Sequence, residues 1–300
     1  MLCRFLTCVA LMFSISLAGC SSRTSRIEVD GGTRTYVLHV PKGYSANTAA
    51  LPLVLALHPF LTTASIMADM TDWNDLADRE GFFVAYPNGR WWRWNSDGSS
   101  STDDPKFIDA LINRLSKEYK IDQSRIYATG ASAGGMMVQR LACLSDRFAA
   151  IAPVMSSIQS SVAEQCGDGS PIPVIIFHGL QDGIVPYDGG LAGGPPDAPM
   201  HFLSAPGAAA FWAERNGCES AEPELEYLPN TGSRVERMHF SCRGGAPVTL
   251  YSLSEAGHTW PGHNNIAPQF IVGGTSMDID ATKVIWEFFR TFRFSMHGDS

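Results

Sequence analysis

Short apolar runs alternate with helix-period segments along most of the chain. The runs at 51–57 and 174–177 are almost entirely apolar, which is typical of strands covered on both faces of a parallel sheet. The predicted strands are 51–57, 82–86, 125–129, 148–155, 174–177, 225–228, 235–241 and 248–253, and the predicted helices are 64–79, 103–119, 136–142, 205–216 and 278–292. This alternation predicts an α/β fold with a doubly wound, mostly parallel sheet in a single domain.

The N-terminal region has a different pattern. Residues 5–17 form an apolar run that is too short for a comfortable membrane span, and Leu17-Ala18-Gly19-Cys20 follows it. We interpret 1–19 as a lipoprotein signal peptide and Cys20 as the acylated first residue of the mature chain. An ordinary secretory signal, or a buried helix with a chance cysteine, is the alternative.

The segment after Cys20 predicts how the chain is displayed and where its fold begins. Residues 20–33 are interpreted as the anchor linker and the start of a hairpin, because 26–30 and 34–40 alternate apolar and polar positions around a Gly-Gly pair. Ser21 after Cys20 resembles the pattern of lipoproteins sent to an outer membrane. The expected location is therefore the outer membrane, the cell surface or the periplasm. The catalytic domain is predicted over 34–292, with a loose tail at 293–300.

Cysteine usage and charge narrow the class of protein further. Cys143, Cys166, Cys218 and Cys242 remain after export, and an even number is typical of an oxidising compartment. Of the three possible pairings, proximity favours Cys143–Cys166 and Cys218–Cys242; buried free thiols are the alternative. The formal net charge of −8 argues against nucleic acid as a partner, and the sequence leaves the oligomeric state open.

A glycine-flanked serine lies between a predicted strand and a predicted helix. The sequence Gly130-Ala131-Ser132-Ala133-Gly134 has the pattern of a nucleophile elbow, in which glycines remove side chains that would collide at a sharp turn. The following helix would point its first N–H groups at a developing oxyanion. Small residues also fill ordinary strand–helix turns, so the elbow alone does not establish catalysis.

An acid and a histidine follow Ser132 in the order that the elbow requires. Asp182 comes just after the strand at 174–177, and His258 comes just after the strand at 248–253, both at expected carboxyl ends of the sheet. His258 can accept the proton of Ser132, and Asp182 can fix the imidazole tautomer. Asp188 is a rival for the acid.

Several linked motifs give this chain a family resemblance. Gly-Ala-Ser132-Ala-Gly-Gly, His-Gly-Leu-Gln-Asp182-Gly, Asn-Gly-Cys218 and Gly-His258-Thr-Trp-Pro-Gly resemble those of secreted poly(3-hydroxybutyrate) depolymerases and feruloyl esterases. The resemblance covers about 34–292 and implies an α/β-hydrolase fold, no metal or cofactor, and ester hydrolysis through an acyl-enzyme. The family usually has His-Gly where this chain has His58-Pro59, so Phe60 and Ala133 are the expected oxyanion donors, because proline has no N–H.

The substrate is the least constrained part of the prediction. Trp94 and Trp260 are expected to contact it because large flat side chains near the site suit a ring or a chain; packing of the loop is the alternative. Hydroxyalkanoate oligomers or short-chain esters are one expected substrate class, and feruloyl or acetylxylan esters of plant polysaccharides are another. A peptidase on the same fold and a non-catalytic binding lipoprotein are competing hypotheses.

Overall fold

The computed structural model describes residues 24–45, 47–192, 200–218, 224–229, 234–242, 244–264 and 267–294. The predicted signal peptide and Cys20 lie outside these residues, as does 295–300. The strands are β1 Thr24–Val29, β2 Gly32–His39, β3 Leu51–Leu57, β4 Phe83–Pro87, β5 Ile121–Ala131, β6 Ala150–Val154, β7 Val174–Gly179, β8 Gly190–Ala192, β9 Met200–Phe202, β10 Glu224–Tyr227, β11 Val235–Phe240 and β12 Val248–Leu253. The helices are α1 Ala64–Asp69, α2 Trp73–Glu80, α3 Asp104–Glu118, α4 Ala133–Leu144, α5 Ser160–Gln165, α6 Ala205–Arg215, α7 Gln269–Val272 and α8 Ala281–Phe289.

One large sheet organises the described part of the chain. Its ten strands lie in the order β1-β2-β4-β3-β5-β6-β7-β12-β11-β10. The six central strands from β4 to β12 are parallel, and antiparallel strands extend the sheet at both edges. The prediction of a mostly parallel α/β sheet is therefore confirmed, and so is the N-terminal hairpin. Parallel strands end at one edge, which brings the loops after β3, β5, β7 and β12 together.

Two apolar layers cover the faces of the sheet. On one face α8 packs through stacked rings, with the centroids of Phe82 and Trp286 3.9 Å apart and those of Tyr127 and Phe289 4.8 Å apart. On the other face α3, α4 and α6 cover the same strands. Because both faces are covered, the central strands are apolar throughout, as the sequence pattern indicated. No helix among the described residues is long and apolar enough to cross a membrane.

Two sequence-based element predictions need correction. The predicted helix at 64–79 is two helices, because Asp72 adopts a left-handed conformation with φ of 50° between α1 and α2. No strand is predicted at 190–192 or 200–202, yet β8 pairs with β9 there in antiparallel register. In both regions the tertiary context decides a conformation that the hydrophobic period does not specify.

Both predicted disulfides are present. Cys143 at the end of α4 is bonded to Cys166 after α5, and Cys218 after α6 is bonded to Cys242 after β11. Their sequence separations are 23 and 24 residues. In the chain-entropy model a loop of this size stabilises the fold by about 3 kcal/mol. Each bond ties a peripheral segment to the helical layer that flanks the site.

Candidate active site

Ser132 lies at the tip of a sharp turn between β5 and α4. Its φ is 53° and its ψ is −118°, a conformation that costs a non-glycine residue about 1–3 kcal/mol. The neighbouring glycines make the turn possible, because a Cβ at Gly130 would lie 2.4 Å from the carbonyl carbon of Gly134, and one at Gly134 would lie 2.2 Å from the carbonyl oxygen of Leu57. The sequence-based expectation of a strained, glycine-flanked serine therefore agrees with this geometry.

Asp182 and His258 meet at the carboxyl edge of the sheet. The His258 Nδ1 lies 2.7 Å from Asp182 Oδ2, and both side chains are buried. The other carboxylate oxygen of Asp182 accepts hydrogen bonds from the N–H groups of Ile184 and Val185, at 2.9 and 2.8 Å. These bonds hold the carboxylate so that Oδ2 faces His258, and the carboxylate in turn favours the proton of the imidazole on Nδ1. The rival Asp188 is exposed.

His178 lies beneath the acid. Its ring is buried, its Nε2 donates to the Val185 carbonyl at 2.8 Å, and the same nitrogen lies 3.6 Å from Asp182 Oδ2. Burial lowers the pKa of His178, although the negative charge of Asp182 opposes that shift. His178 is therefore a neutral support for the turn that carries Asp182.

Contacts with Val272 and Thr282 hold the base loop, residues 257–263, in place. The His258 N–H donates to the Val272 carbonyl at 2.6 Å, and a Cβ at Gly257 would lie 2.2 Å from that carbonyl oxygen. Trp260 is only 1% exposed, and its indole N–H donates to Thr282 Oγ1 at 3.0 Å. Its side chain packs in the core layer that contains α8. The prediction that Trp260 contacts substrate was therefore wrong, because the indole points into the core.

The loop after β3 carries the expected oxyanion donor Phe60. His58 is fully buried there; its Nδ1 donates to the Pro59 carbonyl at 2.7 Å, and its Nε2 accepts the Gly89 N–H at 2.9 Å. Burial lowers the pKa of His58 to about 4, and the charge of Arg34 contributes in the same direction. A neutral His58 thus fixes the loop after β3 against the loop after β4.

The aromatic loop, residues 90–96, follows β4 and leads towards α3. Trp94 is largely buried, its indole N–H donates to the His58 carbonyl at 2.9 Å, and the two rings lie 5.0 Å apart. Trp91 and Trp92 have left-handed backbones and exposed side chains. The start of α3 holds the end of this loop, since the Asn95 N–H donates to the buried Asp104 carboxylate at 2.7 Å.

A cavity of about 720 Å³ opens beside Ser132. Ser132 and Ala133 line it, together with apolar side chains from five segments: Phe60, Trp91 and Trp94, Met136, Ile184 and Val185, and Met200 and Phe202. The predicted substrate residue Trp94 therefore lies in the cavity wall, and the expected oxyanion residues Phe60 and Ala133 lie at its edge. The volume greatly exceeds that of an acetyl group, so the cavity has room for a bulky acyl group.

The sequence reasoning missed the far wall of this cavity. Met200 and Phe202 belong to β9, Ser96 lines the cavity with them, and the amide nitrogen of Gln159 contacts Ser96, Met136 and Met200. No motif marks these residues, because they come from segments that only the folded chain brings together. Within the described residues, no group of three or more His, Cys, Asp or Glu side chains is arranged to hold a metal ion.

Several known proteins are similar to this chain in sequence. A family model described as esterase PHB depolymerase matches residues 34–185. A probable feruloyl esterase C of Aspergillus oryzae is 33% identical over 266 residues, which cover 85% of this chain and 83% of that protein. The feruloyl esterase B of Piromyces equi is 30% identical over 233 residues, 75% of this chain but 42% of that longer protein.

Solved structures agree on the fold. An acetyl xylan esterase from Aspergillus awamori matches with a TM-score of 0.57 at 19% identity, over 75% of this chain and 89% of that one. The acylaminoacyl peptidase of Pyrococcus horikoshii matches with a TM-score of 0.58 at 13% identity, over 93% of this chain and 42% of that one. Likeness at such identities shows the fold alone, and it confirms the predicted α/β-hydrolase architecture.

Proposed function

The chain belongs to the esterase PHB depolymerase family and is a carboxylic ester hydrolase, and we propose that it acts through an acyl-enzyme on Ser132. The observation that carries this proposal is the 2.7 Å bond between Asp182 and His258 at the sheet edge that also bears the strained Ser132. Nucleophile, base and acid follow the chain order of α/β-hydrolases. The proposal makes Ser132, Asp182 and His258 the catalytic triad.

The proposed reaction has two halves. His258 takes the hydroxyl proton of Ser132 as Oγ attacks the ester carbonyl carbon, and Asp182 stabilises the imidazolium that forms. The bond between the carbonyl carbon and the alkoxy oxygen then breaks, and His258 gives its proton to that oxygen, so that an alcohol departs and the acyl group remains on Ser132 Oγ. In the second half His258 activates a water molecule, whose attack releases the carboxylic acid and restores Ser132.

The negative oxygen of each tetrahedral intermediate needs donors that are already in place. We assign this role to the N–H groups of Ala133, at the start of α4, and Phe60, in the loop that His58 fixes. The approach of Gly134 to Leu57 supports the assignment, because it brings the start of α4 against the end of β3. Losing one donor of this kind typically costs 10² to 10³ in kcat.

For the acyl group we propose a hydroxycinnamoyl class such as feruloyl. The large cavity with Trp94 and Phe202 in its walls supports this class, since aromatic side chains favour contact with a flat ring. A second candidate is an oligomer of 3-hydroxyalkanoate. The exposed apolar rim formed by Phe60, Leu61 and Trp91 favours that candidate, because it offers an open path for a chain that extends beyond the cavity.

Two measurements test these proposals. A fluorophosphonate should label Ser132 in the wild type and leave Ser132→Ala unlabelled; labelling elsewhere would refute the nucleophile. A panel of methyl ferulate, acetylated xylan, hydroxybutyrate trimer and p-nitrophenyl esters should show the highest kcat/KM for methyl ferulate. A higher value for the trimer would replace the first acyl class with the second.

We further propose that Cys20 carries a lipid anchor. The apolar run before it and the tripeptide Leu17-Ala18-Gly19 support this assignment, and the two disulfides are typical of a compartment outside the cytoplasm. Stable anchoring takes two signals or more, because one acyl chain gives only reversible binding. Mass spectrometry of the membrane-extracted protein should find acylated Cys20 as the first residue; an unmodified N-terminus at another residue would contradict it.

A further inference from the structure

The far wall of the cavity contains a buried polar pair among apolar residues. Ser96 lines the cavity, and the amide nitrogen of Gln159 lies 3.4 Å from its hydroxyl oxygen. The same nitrogen lies 2.9 Å from the sulfur of Met200 and 3.7 Å from that of Met136. All three contacts of the amide are therefore with residues that line the cavity.

The hydrogen-bonding capacity of Gln159 is largely unused. The side chain is 3% exposed, and its Oε1 has no hydrogen-bond partner among the described residues. Thioether sulfurs are weak acceptors, so the Nε2 hydrogens are poorly matched as well. A buried amide oxygen without a partner costs about 1–3 kcal/mol, and buried groups of this kind in native proteins call for a specific explanation.

Backbone contacts at or next to each residue of the pair hold both residues in place. The backbone carbonyl of Asn95, next to Ser96, accepts a hydrogen bond from Arg140 at 2.9 Å. Gln159 forms a backbone bridge with Phe202, and its side chain does not cap α5 although the residue stands at the N-cap. The backbone of Gln159 is thus held by β9, and its amide nitrogen faces three residues that line the cavity.

We propose that Ser96 and Gln159 form a subsite for a hydroxyl group on the acyl part of the ester. The substrate hydroxyl would donate to Gln159 Oε1 and accept from the Ser96 hydroxyl, so the unpartnered amide oxygen and the substrate hydroxyl each find a partner. Met136 and Met200 stand between the amide and the cavity, and their flexible side chains can move aside for the ligand. This inference rests on the proposed ester hydrolysis at Ser132 and specifies its acyl group.

A hydroxyl of this kind occurs in two acyl classes, and matched ester pairs separate them. The aromatic pair is methyl 4-hydroxycinnamate and methyl cinnamate, and the aliphatic pair is methyl 3-hydroxybutyrate and methyl butyrate. The measured quantity is the ratio of kcat/KM for the hydroxylated ester to that for the plain ester. It is compared among the wild type, Ser96→Ala and Gln159→Leu, with thermal unfolding recorded for each protein.

The wild type should prefer the hydroxylated ester in one pair, and each variant should lower that ratio about 3- to 10-fold, the value of a neutral hydrogen bond. The matched control is Ser157→Ala, which removes another buried hydroxyl of the same segment, one that donates to the Leu203 carbonyl. Its ratio should stay at the wild-type value. A change in the aromatic pair assigns the subsite to a phenol, and a change in the aliphatic pair assigns it to a hydroxy acid.

Two results would overturn the proposal. One is a wild-type ratio near one in both pairs, and the other is an unchanged ratio in Ser96→Ala despite active enzyme. Because Ser96→Ala removes a single oxygen at the cavity surface, it decides the question even if Gln159→Leu fails to fold. A wild type that hydrolyses none of the esters and resists fluorophosphonate would instead overturn the proposed function itself, and this subsite with it.

Discussion

The base loop and the aromatic loop both contain tryptophan at the edge of the site, but they use it in opposite ways. In the base loop Trp260 points into the core and bonds to Thr282, while His258 beside it faces Asp182. In the aromatic loop Trp91 is 77% exposed at the cavity and only Trp94 turns inward, to the His58 carbonyl. The base loop is anchored through its tryptophan, and the aromatic loop exposes a tryptophan at the cavity.

The difference follows from what each loop must hold. Proton transfer requires His258 at hydrogen-bonding distance from its partners, so its loop gains from a large buried side chain that excludes movement. The proposed selection of an acyl group needs accessible apolar surface, which the exposed Trp91 provides. If this separation of chemistry from selectivity holds, changes in the base loop should slow all esters alike, and changes in the aromatic loop should alter which ester is preferred.

Ser132→Ala should remove the reaction and leave the cavity intact. Loss of a triad nucleophile typically lowers kcat about 10⁶-fold, whereas the cavity walls come from other segments. Turnover of methyl ferulate should therefore be lost, whereas the affinity for ferulate, measured by calorimetry, should stay within about 3-fold of the wild-type value. Retention of one tenth of the wild-type kcat would contradict the assignment of Ser132.

Asp182→Asn should cost about 10⁴-fold in kcat, because an amide in this position favours the wrong imidazole tautomer. The matched control is Asp188→Asn, which changes an exposed carboxylate on the same loop and should keep wild-type activity. Steady-state kinetics on one ester, with thermal unfolding as a check on folding, distinguish the two. Equal losses in both variants would show that the loop is sensitive to charge in general.

Trp260→Ala should lower stability and slow all esters together. Truncation of a fully buried tryptophan costs about 3–5 kcal/mol of unfolding free energy, and a loosened base loop affects every substrate alike. The conservative Trp260→Phe keeps most of the packing and loses the bond to Thr282, at about 1 kcal/mol. Urea unfolding and the ratio of kcat/KM for methyl ferulate to methyl butyrate are the measurements. A changed ratio with unchanged stability would restore a substrate contact for Trp260.

Trp260 also shows where sequence reasoning stops. The elbow, the acid and the base are predictable because glycine spacing and strand ends specify them locally, and Asp182 and His258 do meet. The direction of a side chain in an irregular loop has no period to reveal it, so Trp260 was misplaced. Ser96 and Gln159 are 63 residues apart in sequence, and only the folded chain makes them neighbours.

His58 links the loop after β3 to the loop after β4, and it should make stability depend on pH. Burial lowers its pKa from 6.5 in the unfolded chain to about 4 in the fold, so the folded state favours the neutral ring that accepts the Gly89 N–H. As the pH falls from 6.5 towards 4, His58 binds a proton in the unfolded chain but stays neutral in the folded chain. This stabilising contribution is present above pH 6.5 and decreases by about 1.4 kcal/mol per pH unit within that window.

The variant His58→Gln retains an acceptor for Gly89 and cannot be protonated. Its unfolding free energy, measured in urea between pH 7 and 4.5, should therefore fall less steeply than that of the wild type. The difference between the two curves, rather than either alone, isolates His58 from the carboxylates that also titrate at the acidic end. Parallel curves would show that His58 makes no contribution to the pH dependence.

Trp91→Ala should have the smallest effect and the most selective one. The indole is exposed at the cavity, so its loss should change stability by less than about 0.5 kcal/mol while removing a flat contact for the acyl ring. Aromatic pairs contribute about 0.5–1.5 kcal/mol, so kcat/KM for methyl ferulate should fall about 2- to 10-fold and that for methyl butyrate should hold. Alanine keeps the Cβ and hence the left-handed strain at φ of 54°, so the change reports on the indole alone.

Trp92→Ala is the matched control, since Trp92 is the exposed neighbour with a φ of 59° and is not among the described residues that line the cavity. If both variants lower ferulate hydrolysis equally, the aromatic loop acts through its backbone, and the selectivity assigned to Trp91 is wrong.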